Sequence, residues 1–250
     1  MCGIAGIFGE AATKEIVQKM CDVIRYRGPD DEGYFHGNGI VLGSVRLSII
    51  DLETGHQPIH NEDSSLWIVY NGEIFNYREL RNELEERHRF YTKSDTEVIV
   101  HLYEDLGPRC LEKLNGMFAF AVWDEKKHEL FLARDRVGVK PLYYCSSGSS
   151  FLFASEIKAI LQFGVERKLD AEALIDYLSL TYVLGDKTFF KGVRQVPAGH
   201  FLTVRGGAIE LQRYWDLEFG RLQQTTVEKA AAEALDAIQE SVRLRLVSDV

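Results

Sequence analysis

The sequence predicts an α+β protein, with helices outside and sheets inside. Three observations predict it. Short apolar runs follow one another between residues 117 and 154 with only turn-length gaps, as consecutive antiparallel strands do. Segments 14–26, 76–87 and 95–106 read instead as helices, the first carrying apolar residues at helical spacing. The chain also shows no internal repeat and no low-complexity segment.

Residues 3–8 (GIAGIF) are short, apolar and bounded by turn residues, which makes a buried strand. The helix over 14–26 follows from Ile16, Val17, Met20, Val23 and Ile24. Arg27-Gly28-Pro29-Asp30-Asp31-Glu32-Gly33 is turn chemistry, with Pro and Gly setting the backbone. Strands are expected near 34–36, 40–45 and 65–70. Asn76 and Asp95 are N-cap residue types for the next two helices, each with Glu in the first turn. Met117–Trp123, Glu129–Ala133, Leu142–Cys145 and Phe151–Ala154 read as one central antiparallel sheet. Helices over 155–162 and 171–179 follow, then strands over 189–194, 200–205 and 208–215. Thr225-x-x-Glu228 is a capping box. It opens a helix on which Val227, Ala231, Leu235, Ile238, Val242 and Leu246 keep one apolar face for about six turns. That face packs back on the domain or belongs to a second one.

The 250 residues allow one large domain, or one domain and part of another. A net charge of −9 argues against non-specific binding to nucleic acid or an anionic membrane. Cys2, Cys21, Cys110 and Cys145 lie far apart with no CxxC pair, which favours reduced thiols in a cytoplasm over disulfides or zinc. No secretory signal opens the chain, and the longest apolar run, Met117–Trp123, is too short to span a bilayer. His56 and His60 lie in a loop containing Pro58, with no third ligand apparent. No metal is expected there.

Chemistry concentrates at Cys2. Removal of Met1 would leave one residue carrying both a thiol nucleophile and a free α-amine to serve as its base. Without that chemistry, Cys2 is a small hydrophobe. Arg46 sits inside the apolar stretch Val45-Arg46-Leu47-Ser48-Ile49-Ile50. A guanidinium there needs a partner, either one of the protein's own acids or a ligand carboxylate held bidentately. Asn71-Gly72-Glu73 follows the strand Leu66–Tyr70. An Asn amide beside a Gly N–H can form an oxyanion hole, although Asn-Gly also ends strands in turns. Asp95, in Ser94-Asp95-Thr96-Glu97, is either an N-cap or the holder of an ammonium ion.

These segments together resemble the class II glutamine amidotransferases, whose domains are N-terminal-nucleophile glutaminases. The glutaminase domain of asparagine synthetases is the nearest likeness. Met1-Cys2-Gly3-Ile4-Ala5-Gly6, Arg27-Gly28-Pro29-Asp30, Arg46-Leu47-Ser48-Ile49, Asn71-Gly72-Glu73-Ile74-Phe75-Asn76-Tyr77 and Ser94-Asp95-Thr96-Glu97 carry it. Asn115–Ala119, Arg134–Tyr143, Ala154–Ala159, Pro197–His200 and Arg213–Asp216 continue it in family order. Tyr26 departs from the His often found before Arg-Gly-Pro-Asp in such sequences.

The resemblance implies a four-layer αββα sandwich of two antiparallel sheets, with a C-terminal helix added. It implies L-glutamine as substrate and Cys2 as nucleophile, with Asn71 and Gly72 stabilising the oxyanion. Arg46 would take the α-carboxylate, with the backbone of Leu47, Ser48, Ile49 and Ile50 lining that side, and Glu73 and Asp95 would hold the α-ammonium. Residues 2–215 would form the glutaminase domain, and 216–250 a linker and the first helix of an ATP-dependent synthetase domain on the same polypeptide. ATP and magnesium would belong to that second domain, since no phosphate-binding glycine loop occurs here. A homodimer is a family-level expectation. Surface-polysaccharide amidation enzymes and β-lactam synthetase-like proteins resemble the same family. A catalytically silent binding module remains the reading if Met1 is retained.

Overall fold

The computed structural model describes residues 1–220 and 224–249. In chain order the elements are β1 (Gly3–Phe8), α1 (Lys14–Asp22), β2 (Asp31–Gly37), β3 (Ile40–Arg46), β4 (Ile59–His60) and β5 (Leu66–Ile74). Then come α2 (Tyr77–Leu84), α3 (Asp95–Leu106), α4 (Cys110–Lys113), β6 (Gly116–Asp124), β7 (Glu129–Arg134), β8 (Tyr143–Ser147) and β9 (Ser150–Ala154). The chain continues through α5 (Ile157–Ile160), α6 (Ala171–Leu180), β10 (Val193–Gln195), β11 (His200–Arg205), β12 (Ala208–Arg213) and α7 (Val227–Arg245).

The strands make two six-stranded antiparallel sheets, ordered β10-β8-β9-β1-β3-β2 and β12-β11-β7-β6-β5-β4. Ile4, Ile40, Leu42 and Phe153 of the first sheet meet Val69, Ala119, Trp123, Leu132 and Leu202 of the second in one apolar layer. Leu80, Val98, Ile99 and Leu102 of α2 and α3 cover the other face of the second sheet. Val17, Met20 and Cys21 of α1, with Ala159 and Ile160 of α5, cover the first. The result is the expected αββα sandwich, each sheet covered on both faces except at the edge strands β2 and β12. No helix among the described residues is long and apolar enough to cross a membrane.

Several local readings change. The run 117–154 is not one sheet: β6 and β7 pair in one, β8 and β9 in the other. The link between β7 and β8 crosses the sandwich. Arg134 fixes it by donating to the carbonyls of Gly138, Lys140 and Val196, each at 2.7 Å. Asp135 accepts from the N–H groups of Phe118, Val137, Val139 and Lys140. Strand periodicity cannot reveal such a crossing, because it reports faces and not partners.

The first helix stops at Asp22, with a separate 3-10 turn at Arg25–Arg27. Helix 155–162 shrinks to Ile157–Ile160 plus a 3-10 turn, and the strand expected over 189–194 to Val193–Gln195. Ser94, not Asp95, caps α3, accepting from the Thr96 N–H. Asn76 makes no cap bond; its amide ties the Lys113 carbonyl and the Asn115 N–H to the start of α2. The capping residue of α7 is Thr226, whose Oγ1 accepts from the Lys229 N–H. The apolar face of α7 does not pack back on the domain. Val227, Leu235, Ile238, Val242 and Leu246 are all more than half exposed.

Candidate active site

β1 lies inside the first sheet, between β9 and β3, so Cys2 emerges at the middle of a sheet end. Gly3 leaves it no room to shift, because a Cβ there would come within 2.9 Å of Ile24 Cδ1 and Val45 Cγ2. The Cys2 thiol is partly buried and donates to the Leu47 carbonyl at 3.6 Å. Burial pushes the thiol up; that hydrogen bond, the terminal amine and Arg46 pull it back in part. The Cys2 carbonyl accepts from Arg27 Nε at 3.0 Å, and Arg27 pairs with Glu156 at 2.8 Å. Tyr26, the departure from the family pattern, bonds Glu156 through its hydroxyl, and Lys158 Nζ lies 4.2 Å from its ring centroid.

Arg46 ends β3 and is 4% exposed. Its Nη2 donates to the carbonyls of Ile50 (2.8 Å) and Asp51 (2.7 Å), while its buried Nη1 has no partner. The loop after β3 is bent tightly around this guanidinium. Asp51 sits at φ 56°, and its carboxylate accepts from Thr54 and from the Lys93 N–H. A Cβ at Gly55 would lie 2.5 Å from Arg46 Nη2. Arg46 therefore bonds to backbone and keeps one donor and its charge free for a ligand. A buried cation so arranged is costly until an anion arrives.

Asn71 and Gly72 do not end a strand. β5 runs through them to Ile74, paired with β6 throughout. The pairing is close: a Cβ on Gly72 would reach 2.8 Å from both Phe118 Cα and Tyr70 Cε2. Asn71 is 1% exposed, and its Nδ2 is buried without a partner. Asp95, at the first turn of α3, accepts from the Tyr70 hydroxyl (2.8 Å) and the Ile74 N–H (2.9 Å). Burial still pushes its carboxyl up. Burial and the Asp95 charge likewise push Glu73 up, against the pull of Lys140 and Arg245. A carboxylate raised by the charge of a neighbouring one favours a cation between them.

One cleft of about 510 Å³, including its open mouth, joins these groups. Cys2, Arg46, Leu47, Ile49, Ile50, Asn71, Gly72, Glu73 and Asp95 line it. Ser48 does not; its N–H donates to Asp30, which caps the outside of the loop. Gln57, Tyr70, Ser94, Thr96, Met117 and Lys140 also line the cleft and were not anticipated. Gln57 Oε1 accepts from the Tyr70 N–H at 2.7 Å, holding the 47–57 loop to β5. Lys140, only 5% exposed, is the one with a usable signal: a lysine in a turn of the Arg134–Tyr143 run. His56 and His60 do not converge; they bond Asp31 and the Asn61 carbonyl respectively.

A family profile described as "Glutamine amidotransferase domain" matches residues 1–215. The chain belongs to that family. It is 41% identical over its whole length to "Asparagine synthetase [glutamine-hydrolyzing] 1" of Bacillus subtilis (strain 168), covering 41% of that protein. It is 37% identical, again over its whole length, to "Amidase chry2" of Gibberella zeae, covering 40% of it. The chain thus spans about two-fifths of the length of these curated relatives. The solved structure of glutamine phosphoribosylpyrophosphate amidotransferase from B. subtilis superposes with a TM-score of 0.65 at 23% identity, over 86% of this chain and 49% of that one. At that identity the likeness is one of fold.

Proposed function

We propose that this glutamine amidotransferase domain hydrolyses L-glutamine to glutamate and ammonia through a Cys2 thioester. One observation carries the reading. Two buried donors without partners, Arg46 Nη1 and Asn71 Nδ2, belong to residues that line the same cleft as the only partly exposed cysteine of the chain. The α-carboxylate of glutamine would satisfy Arg46, and its α-ammonium would sit against Asp95 and Glu73. Removal of Met1 exposes the Cys2 amine, which takes the thiol proton as Sγ attacks the side-chain amide carbon. The Asn71 amide and the Gly72 N–H hold the resulting oxyanion, on the order of 3 kcal/mol per donor in comparable sites. The amine returns the proton to the leaving nitrogen, and ammonia departs. Water then cleaves the γ-glutamyl thioester to glutamate and restores the thiol.

While Met1 is present the Cys2 nitrogen is an amide and no base. The Met1 amine, pulled down mainly by burial and by Arg27 and Lys140, lies one residue away from the required position. Intact mass before and after 6-diazo-5-oxonorleucine tests the scheme. Loss of Met1 followed by one covalent adduct, absent in Cys2→Ala, is the expected result. A processed chain that takes no adduct would leave the binding-module reading.

The ammonia acceptor rests on the relatives. The 41% match to a glutamine-hydrolysing asparagine synthetase supports delivery to an ATP- and magnesium-dependent synthetase domain of the same polypeptide. The match to an amidase keeps other acceptors in view. Asparagine formation by a longer chain, tested with aspartate, ATP and glutamine, separates the two. Association into a homodimer belongs to the same proposal and is read by sedimentation.

A further inference from the structure

Glu62, His88, His101 and Glu104 come together beside α3, and none of them lines the glutamine cleft. One ligand atom from each lies within 4.8 Å of all the others. His88 Nδ1 is 3.2 Å from Glu62 and 3.9 Å from Glu104. His101 Nδ1 is 3.6 Å from Glu62 and 3.9 Å from Glu104. Ligands at about 2.0–2.1 Å from a tetrahedral zinc stand about 3.3 Å apart; the imidazoles here reach one or the other Glu62 oxygen at 3.2 and 3.6 Å, so the four residues need only draw in to reach the corners of such a site.

His101 supplies an independent reason. It is fully buried; its Nδ1 makes no hydrogen bond, and its Nε2 faces only the Glu97 carboxylate, at 3.5 Å. A buried imidazole left so is rare unless something occupies it. The opposite nitrogens face carboxylates: His88 Nε2 stands 3.1 Å from Asp105, and His101 Nε2 stands 3.5 Å from Glu97. With Nδ1 used as ligand, the ring proton must sit on Nε2, where a carboxylate receives it; metal-bound histidines are backed in this way. The remaining bonds of these acids are already made. Glu97 accepts from the Tyr91 and Thr92 N–H groups, Glu62 from the Arg89 N–H, and Asp105 pairs with Arg87.

We propose that Glu62, His88, His101 and Glu104 bind one divalent first-row metal ion, zinc being the best fit. Two imidazoles and two carboxylates suit zinc; magnesium and calcium prefer all-oxygen shells. The ion joins three separate pieces of chain: the turn before β5, the α2–α3 connection, and α3 itself. That connection runs on through Thr92 to Ser94 and Asp95 at the edge of the cleft. The ion is a staple between the second half of α3 and the connection that leads into the helix, and it takes no part in the chemistry at Cys2.

The test counts metal rather than activity, so it stands apart from the glutaminase reading. The 250-residue chain, purified without a chelating resin and dialysed against metal-free buffer after zinc loading, is measured by mass spectrometry for metals. About one zinc per chain is expected, and below about 0.1 after Glu62→Gln with Glu104→Gln. Asp105→Asn should keep the site and weaken it by about 10- to 100-fold. Zinc absorption spectroscopy of the unaltered chain, which needs no variant to fold, should find two nitrogen and two oxygen neighbours at about 2.0–2.1 Å. A folded chain holding no stoichiometric metal overturns the proposal. So does zinc retained in full by the folded double variant, or a shell lacking imidazole, each of which would mean an adventitious ion only.

Discussion

Helices α3 and α7 both carry apolar residues at helical spacing, yet they meet opposite fates. Val98, Ile99 and Leu102 of α3 are 0%, 0% and 5% exposed, sealed against the second sheet. Leu235, Ile238 and Val242 of α7 are 55%, 61% and 52% exposed. α7 touches the sandwich near its C-terminal end. There Arg245 lies 4.4 Å from the Phe75 ring centroid, and the segment just beyond bonds Ile49 and Asp51 through Asp249. Helical spacing specifies which face of a helix is apolar. It does not specify what covers that face.

A truncation in α3 should therefore cost far more than one in α7. Ile99→Ala is expected to lose on the order of 3 kcal/mol in urea unfolding, the range of buried large-to-small changes. A loss under about 1 kcal/mol would mean that the α3 face is not a packed core.

Next in size is the start of α3. Asp95→Asn should lower kcat/KM for glutamine by about 100-fold or more, through KM, because a buried charge partner is removed. The same variant should unfold no less readily at pH 4 but later at pH 8. Burial raises the Asp95 carboxyl, so its contribution to stability is full below its ordinary value and lost as pH rises through the raised one. An Asn variant less stable at pH 8 than the parent would contradict that direction.

The two helices meet electrostatically at Glu73, which burial and Asp95 raise and Arg245 of α7 lowers. Both carboxylates must be ionised to hold an ammonium, so kcat/KM should fall as pH drops through their raised values. Arg245→Ala should move that acid limb to higher pH by a fraction of a unit, with the plateau rate unchanged. An unmoved limb would show that α7 has no electrostatic hold on the cleft.

The smallest effect is expected on the outer face of α7. Ile238→Ser should change unfolding free energy by less than about 0.5 kcal/mol, as exposed substitutions do. A larger loss would mean that the face is covered in solution, and would erase the contrast with α3.

Much of the site was legible because it lies in short segments whose residue types have few uses. Cys2 beside Met1, Arg46 in an apolar strand, and Asn71-Gly72 after a strand each admitted one structural and one chemical use, and their ordered set favoured the chemical ones. Ser48, expected to line the cleft through its backbone, instead gives its N–H to Asp30, because a tight loop turns successive backbone groups to different sides. Tyr70 and Gln57 were missed because a Tyr in an apolar strand and a Gln in a loop carry no signal until Asp95 and the Ser44 hydroxyl stand opposite them. The His88–His101 pair was missed for the same reason. Thirteen positions apart in sequence, the rings lie 4.5 Å from each other only because the α2–α3 connection folds back along α3.

Local chemistry in the sequence singled out Cys2, the charged residues proposed to meet glutamine, and most strands and helices, because each depends on residues close together in the chain. Tertiary structure alone decided the rest. It divided residues 117–154 between two sheets through the Arg134 crossing, left Arg46 Nη1 and Asn71 Nδ2 without partners, and kept the α7 face open. The physical reason is the same in each case. Burial and hydrogen-bond satisfaction are properties of neighbours in space, and those neighbours come from distant parts of the chain.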